Sequence, residues 1–134
     1  SYVAAQIAGG IVGLMMAHAM FDQALLQISS TVRSGGPQWF AEFAAAFGLV
    51  AVILSGSKFS AAAVPWLVGL YIAAAYWFTS STSFANPAVA LARSLTDTFS
   101  GIRPVDVPAF AAAEFAGAVL ALIVMRWLLT ARKS

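Results

Sequence analysis

The chain has 134 residues, 61% hydrophobic and only 9% charged, with a net charge of +2 and no cysteine. A soluble domain carries about 25% charged residues, so this composition points to lipid as the solvent. The basic residues are scattered, which excludes a nucleic-acid surface, and the lack of cysteine excludes disulfides and thiolate metal sites.

A spanning helix needs about 20 mostly apolar residues, and four stretches qualify. The first runs from Tyr2 to Phe21 and contains the small-residue pair Gly9 and Gly13, which lets helices approach closely in lipid. It opens at Ser1 inside an apolar run, without a charged leader region, and so does not read as a signal peptide. A polar loop from Gln27 to Gly36 leads to the second span, residues 37–54. A tight link, Ser55 to Ser60, leads to the third, residues 61–78, which has no charged residue. The fourth covers residues 106–129.

Between the third and fourth spans, Thr79 to Gly101 fits neither a span nor a simple loop. Its start is polar (Thr79, Ser80, Ser81, Thr82, Ser83), and a helical pattern follows over residues 87–99. Asn86 is a favoured N-cap and Pro87 sits at the first helical position, where its missing N–H costs nothing. Gly101 and Pro104 stop the pattern. Such a helix is about 20 Å long, too short for about 30 Å of hydrocarbon. It is either an extramembrane helix or a re-entrant half-helix, which membranes tolerate where protein or a watery cavity surrounds it. Loop charges give an orientation. With the C-terminus cytoplasmic, that side holds Lys58, Arg126, Arg132 and Lys133, against Arg33 and Arg103 opposite and Arg93 in the half-helix.

The segment from Ala4 to Val12 matches Ala112 to Leu120 in its order of small, polar, bulky and glycine positions, with Gln6 opposite Glu114. The first and last spans then close two equivalent halves of inverted topology. On this reading two helices and a second half-helix precede Ser1.

Ser83-Phe84-Ala85-Asn86-Pro87-Ala88 resembles the second Asn-Pro-Ala signature of the aquaporin (major intrinsic protein) family. Gln38-Trp39-Phe40-Ala41-Glu42-Phe43 resembles the start of the family's fourth helix, Val68 to Tyr71 its fifth, Pro108 to Trp127 its sixth and Tyr2 to Phe21 its third. The resemblance covers essentially the whole chain. It implies an all-α membrane fold, an aquaporin-like inverted-repeat bundle with one re-entrant half-helix, truncated at its N-terminal side. It also implies a homotetramer with one pore per subunit in the plasma (inner) membrane, and a passive channel for water or small neutral solutes.

The motif has a physical rationale. A half-helix N-terminus at mid-membrane is positive and repels cations, and the Asn86 amide donates to a passing oxygen. The resemblance also marks a departure. Where most members carry an Arg after the second Asn-Pro-Ala, this chain has Val89. The other filter positions within the chain are Ala74, twelve residues before Asn86, and Ser83, three before it. Ala74, Ser83 and Val89 imply a wide filter that admits glycerol, urea or undissociated acids such as boric or arsenous acid. Arg93 lies one turn beyond Val89. It either places a charge in the outer vestibule or pairs with Asp97 at i,i+4.

Glu42 and Glu114 are intramembrane acids, which default to functional hypotheses. The resemblance gives Glu42 a structural role, buttressing the pore loop by accepting its backbone N–H groups. Glu114, opposite the uncharged Gln6, does not read as a proton relay. His18 is a lone histidine with no partner for a metal site. Trp39, Trp66, Trp77 and Trp127 read as interface anchors or packing residues. No nucleophile, base or cofactor motif is visible, so the chain does not read as an enzyme. The competing functions are a secondary transporter, which needs a coupling site of several polar groups, and a non-conducting structural membrane fragment.

Overall fold

The computed structural model describes residues 1–130; the basic residues Arg132 and Lys133 of the orientation argument lie outside the described residues. Five α-helices follow in order: α1 (Tyr2–Met20), α2 (Gly36–Phe59), α3 (Val64–Phe78), α4 (Pro87–Arg93) and α5 (Val107–Thr130). Short 3₁₀ turns, Ala61–Ala63 and Pro104–Asp106, lead into α3 and α5. Four of the helical stretches are long and apolar enough to cross a membrane. Only α4 is not.

The tightest pair is α2 with α5, because both present small residues to each other. Ala41, Ala45 and Ala46 on α2 are buried, as are Gly117 and Ala121 on α5. A Cβ at Gly117 would run into the main chain of α2 at Phe43 and Phe47. The glycine is what permits this backbone approach, and close van der Waals contact is the main attraction between helices in lipid. On the other flank α3 packs against α2, where Tyr71 occupies the space over Gly48 and donates its hydroxyl to the Ala45 carbonyl at 2.9 Å. α1 stands apart. It packs on α4, with Gly10 close to Ala92, and His18 is its one buried residue.

Two element boundaries differ from the sequence expectation. α2 continues through Ser55–Lys58 to Phe59, rather than stopping at Leu54, so the link to α3 is tighter than expected. Gly56 does not break the helix. It lies against Val64 and Leu67 of the returning chain, where a Cβ would meet their side chains at 3.0 Å. The short helix stops at Arg93, not Phe99. Its later carbonyls find partners outside the helix: Ser29 N–H donates to Ser94 O at 3.0 Å, Gln27 N–H to Leu95 O at 3.3 Å, and Ile102 N–H to Arg93 O at 3.3 Å. Tertiary donors thus replace the next helical turn.

Chain direction places the loops 21–35 and 79–106 at one end of the bundle. The α2–α3 turn and the end of α5 lie at the other, where Lys58 Nζ donates to the Leu129 carbonyl.

Candidate functional site

Thr79–Asn86 enters the bundle in a conformation that L-residues rarely adopt. Thr82, Ser83 and Ala85 have φ of 67°, 47° and 52°. Three non-glycine residues in the left-handed region within four positions cost of order 1–3 kcal/mol each, and a β-branched threonine there is an outlier. Such a segment persists only where its surroundings impose it.

Two buried glutamate side chains do so. Glu42, fully buried on α2, accepts the Phe84 N–H at 2.9 Å on one oxygen and the Ala85 N–H at 2.7 Å on the other. Glu114, buried on α5, accepts the Asn86 N–H at 3.0 Å. Three consecutive amides, which no helix or sheet satisfies, thus donate to acids from the tightly packed α2–α5 pair. A buried acceptor for each matters because an unpaired buried amide costs about 1–3 kcal/mol.

Asn86 then caps α4. Its Oδ1 accepts the Ala88 N–H at 2.9 Å, with Pro87 at the first helical position. The side-chain oxygen is used inward, and the Nδ2 amide has no protein acceptor among the described residues. Asn86, Pro87 and Ala88 are all partly exposed rather than lost in the core. The three expected filter residues occupy different surroundings. Ala74 is exposed on α3. Ser83 is buried and its hydroxyl has no partner among the described residues. Val89 is half-buried and packs, with Val107, against the apolar cluster of Phe84, Ala90, Ile102 and Phe110.

Arg93 does not pair with Asp97. Asp97 instead accepts both the N–H and the hydroxyl of Ser30, at 2.7 and 2.8 Å. Those bonds hold its carboxyl below the ordinary range. The Arg93 guanidinium lies over the Phe84 ring, 4.4 Å from its centroid, and its Nη1 is buried without a partner among the described residues.

In the sequence Arg33 reads as only a loop charge, and the structure places it at this site. It is 7% exposed. Its Nε, Nη1 and Nη2 donate to the carbonyls of Gly101 (2.6 Å), Ser81 (2.8 Å) and Phe99 (2.7 Å). Its Cζ is 5.1 Å from the Phe84 ring centroid. Burial lowers its pKa from the ordinary arginine value. The one available signal was a single basic residue within a Ser/Thr/Gly-rich loop. His18 is a tether: Nδ1 meets the Leu25 carbonyl at 3.0 Å and Nε2 the Thr96 hydroxyl at 2.7 Å. No cluster of potential metal ligands occurs among the described residues.

Comparison with known proteins gives one relative. The chain is 66% identical over 129 residues to the aquaglyceroporin AqpS of Rhizobium meliloti (strain 1021). The match covers 96% of this chain and 55% of that protein, so the chain spans little more than half the relative's length. No protein-family model matches, and no solved structure matches.

Proposed function

From the premise that this chain belongs to the aquaporin (major intrinsic protein) family, we propose that it forms part of a passive transmembrane channel for small uncharged solutes. The observation that carries the reading is the clamp on residues 84–86. Glu42 and Glu114 hold an otherwise unfavourable loop, and the Asn86 Nδ2 amide is left free to donate. A donor fixed on rigid backbone beside a water-filled path gives a permeating hydroxyl a replacement for bulk water without a tight binding step. Pro87 and Ala88 complete the motif. Ala74, Ser83 and Val89 line the proposed filter. None of them carries a charge, and two lack any polar group, so it is wide enough for glycerol-like solutes and undissociated arsenous acid. Arg93 places a positive charge in the outer vestibule. Assembly as a homotetramer in the inner membrane, with the C-terminus cytoplasmic, belongs to the same proposal.

The carboxylates weigh against a secondary transporter. Both oxygens of Glu42 and one of Glu114 already accept main-chain N–H groups, so among the described residues the pair offers a coupling ion the second Glu114 oxygen alone, not the several polar groups such a site needs.

The test is stopped-flow light scattering on proteoliposomes holding the full chain. Glycerol and arsenous acid uptake above protein-free vesicles, non-saturating and independent of a proton gradient, is the expected result. Water flux with complete exclusion of both solutes would refute the filter assignment. Saturating, gradient-driven uptake would favour a transporter, and no flux at all a structural membrane protein.

A further inference from the structure

The proposed filter lacks the arginine that most of the family places after Asn-Pro-Ala, yet the mouth of the loop is not without positive charge. We propose that Arg33, from the loop between α1 and α2, supplies the fixed cation that excludes Na⁺ and H⁺ at this mouth, in place of the residue replaced by Val89. The inference rests on the channel reading and names a residue of the same site.

Three observations carry it. First, Arg33 reaches the pore loop itself: its Nη1 donates to the Ser81 carbonyl, two residues before the filter position Ser83, and its Cζ lies 5.1 Å from the Phe84 ring centroid. Second, it is held rigidly. All three guanidinium nitrogens donate to main-chain carbonyls from two separate segments, Ser81 on one side and Phe99 and Gly101 on the other. The planar fork suits this geometry, and a fixed charge needs no rearrangement as a solute passes. Third, its charge is not cancelled by a contact. Carbonyl oxygens are neutral, and the nearby Asp106 is engaged by the Arg33 main-chain N–H and by the Arg103 guanidinium, at 2.9 and 3.0 Å. Glu42 acts on Arg33 only through space. The second guanidinium at the same ring, Arg93, adds to the positive potential. An ion entering beside this pair meets an opposing charge in a region of lowered dielectric, whereas a neutral hydroxylated solute does not.

The test compares wild type, Arg33→Met and Arg33→Lys in proteoliposomes, reading Na⁺ and H⁺ leak by fluorescence and glycerol uptake by light scattering. Arg33→Met is expected to raise the cation leak about tenfold, the order of effect of one charge roughly 12 Å away at an effective dielectric of roughly 20, while glycerol still passes. Arg33→Lys keeps the charge but cannot serve three carbonyls in fork geometry, and it is expected to stay near the wild-type leak. Should Arg33→Met fail to accumulate in the membrane, Arg33→Lys alone decides. A tight Lys variant supports the charge role, and a leaky one overturns it in favour of a purely structural clamp. An Arg33→Met channel as tight as wild type also overturns it. A wild-type chain that passes no glycerol sinks the channel reading, and this inference with it. A conducting wild type with an equally tight Arg33→Met variant sinks this inference alone.

Discussion

The two ends of the segment from Thr79 to Gly101 are held in opposite ways. Upstream, Phe84–Asn86 is fixed by two buried glutamate side chains that accept main-chain N–H groups. Downstream, residues 93–101 are fixed by a buried guanidinium, an imidazole and loop hydroxyls, with carbonyls as the main acceptors. The upstream acids sit on α2 and α5, the tightest helix pair, so the clamp inherits their rigidity. The downstream donors sit on a loop without regular structure, and α1 contributes only through His18 and its packing on α4. The inner anchor is therefore set by helix packing. The outer one is a polar network whose parts can be altered singly.

The comparison breaks most severely at Glu42. Glu42→Ala leaves the Phe84 and Ala85 amides buried without acceptors, a cost of about 2–6 kcal/mol at roughly 1–3 for each. The left-handed backbone at Thr82–Ala85 then has little to impose it. The expected outcome is loss of the folded protein from detergent extracts, measured by size-exclusion chromatography and thermal unfolding. A variant with wild-type unfolding temperature would show that the helices, not the carboxylate, shape the loop.

His18→Phe is expected to be milder. It removes two side-chain bonds, to Leu25 and Thr96, worth about 1–3 kcal/mol together at roughly 0.5–1.5 each. Hydrogen exchange should quicken in residues 22–31 and 94–100 and stay unchanged at Phe84–Asn86. Equal quickening in both regions would mean that the two anchors are one cooperative unit.

The smallest effect concerns Asp97. Ser30 holds its carboxyl below the ordinary range, by the main-chain bond first and the hydroxyl second. A depressed folded-state pKa gives a contribution that is complete above the ordinary carboxylate range and is lost as pH falls through the folded value. Exchange protection of the Ser30 amide should thus be flat at neutral pH and decline only in acid. Asp97→Asn should weaken that protection at neutral pH and remove the acid decline. Protection of Ser30 that follows pH in the variant as in wild type would assign the titration to another group.

Much of the inner anchor was legible in the sequence and little of the outer. An acid within an apolar span is conspicuous because its burial is costly, so Glu42 and Glu114 stood out before any contact was known. Asn86-Pro87 is a local capping signal, readable from two adjacent residues. Arg33 carried no such mark. An arginine in a polar loop reads as solvated, and only the distant carbonyls of Ser81, Phe99 and Gly101 make it a buried group. The i,i+4 spacing of Arg93 and Asp97 was legible but misleading, because the helix between them ends at Arg93.

By itself the sequence determined the solvent and the scaffold. Charge scarcity and four apolar stretches of spanning length demand a helical membrane protein, since backbone groups in hydrocarbon must be satisfied within each segment. The cap at Asn86 likewise follows from neighbouring residues alone. Only the tertiary structure decided where the short helix ends, which amides the two acids receive and where Arg33 is buried. Each of these depends on donors and acceptors far apart in the chain, and one-dimensional spacing holds no record of which distant groups folding brings within hydrogen-bond reach.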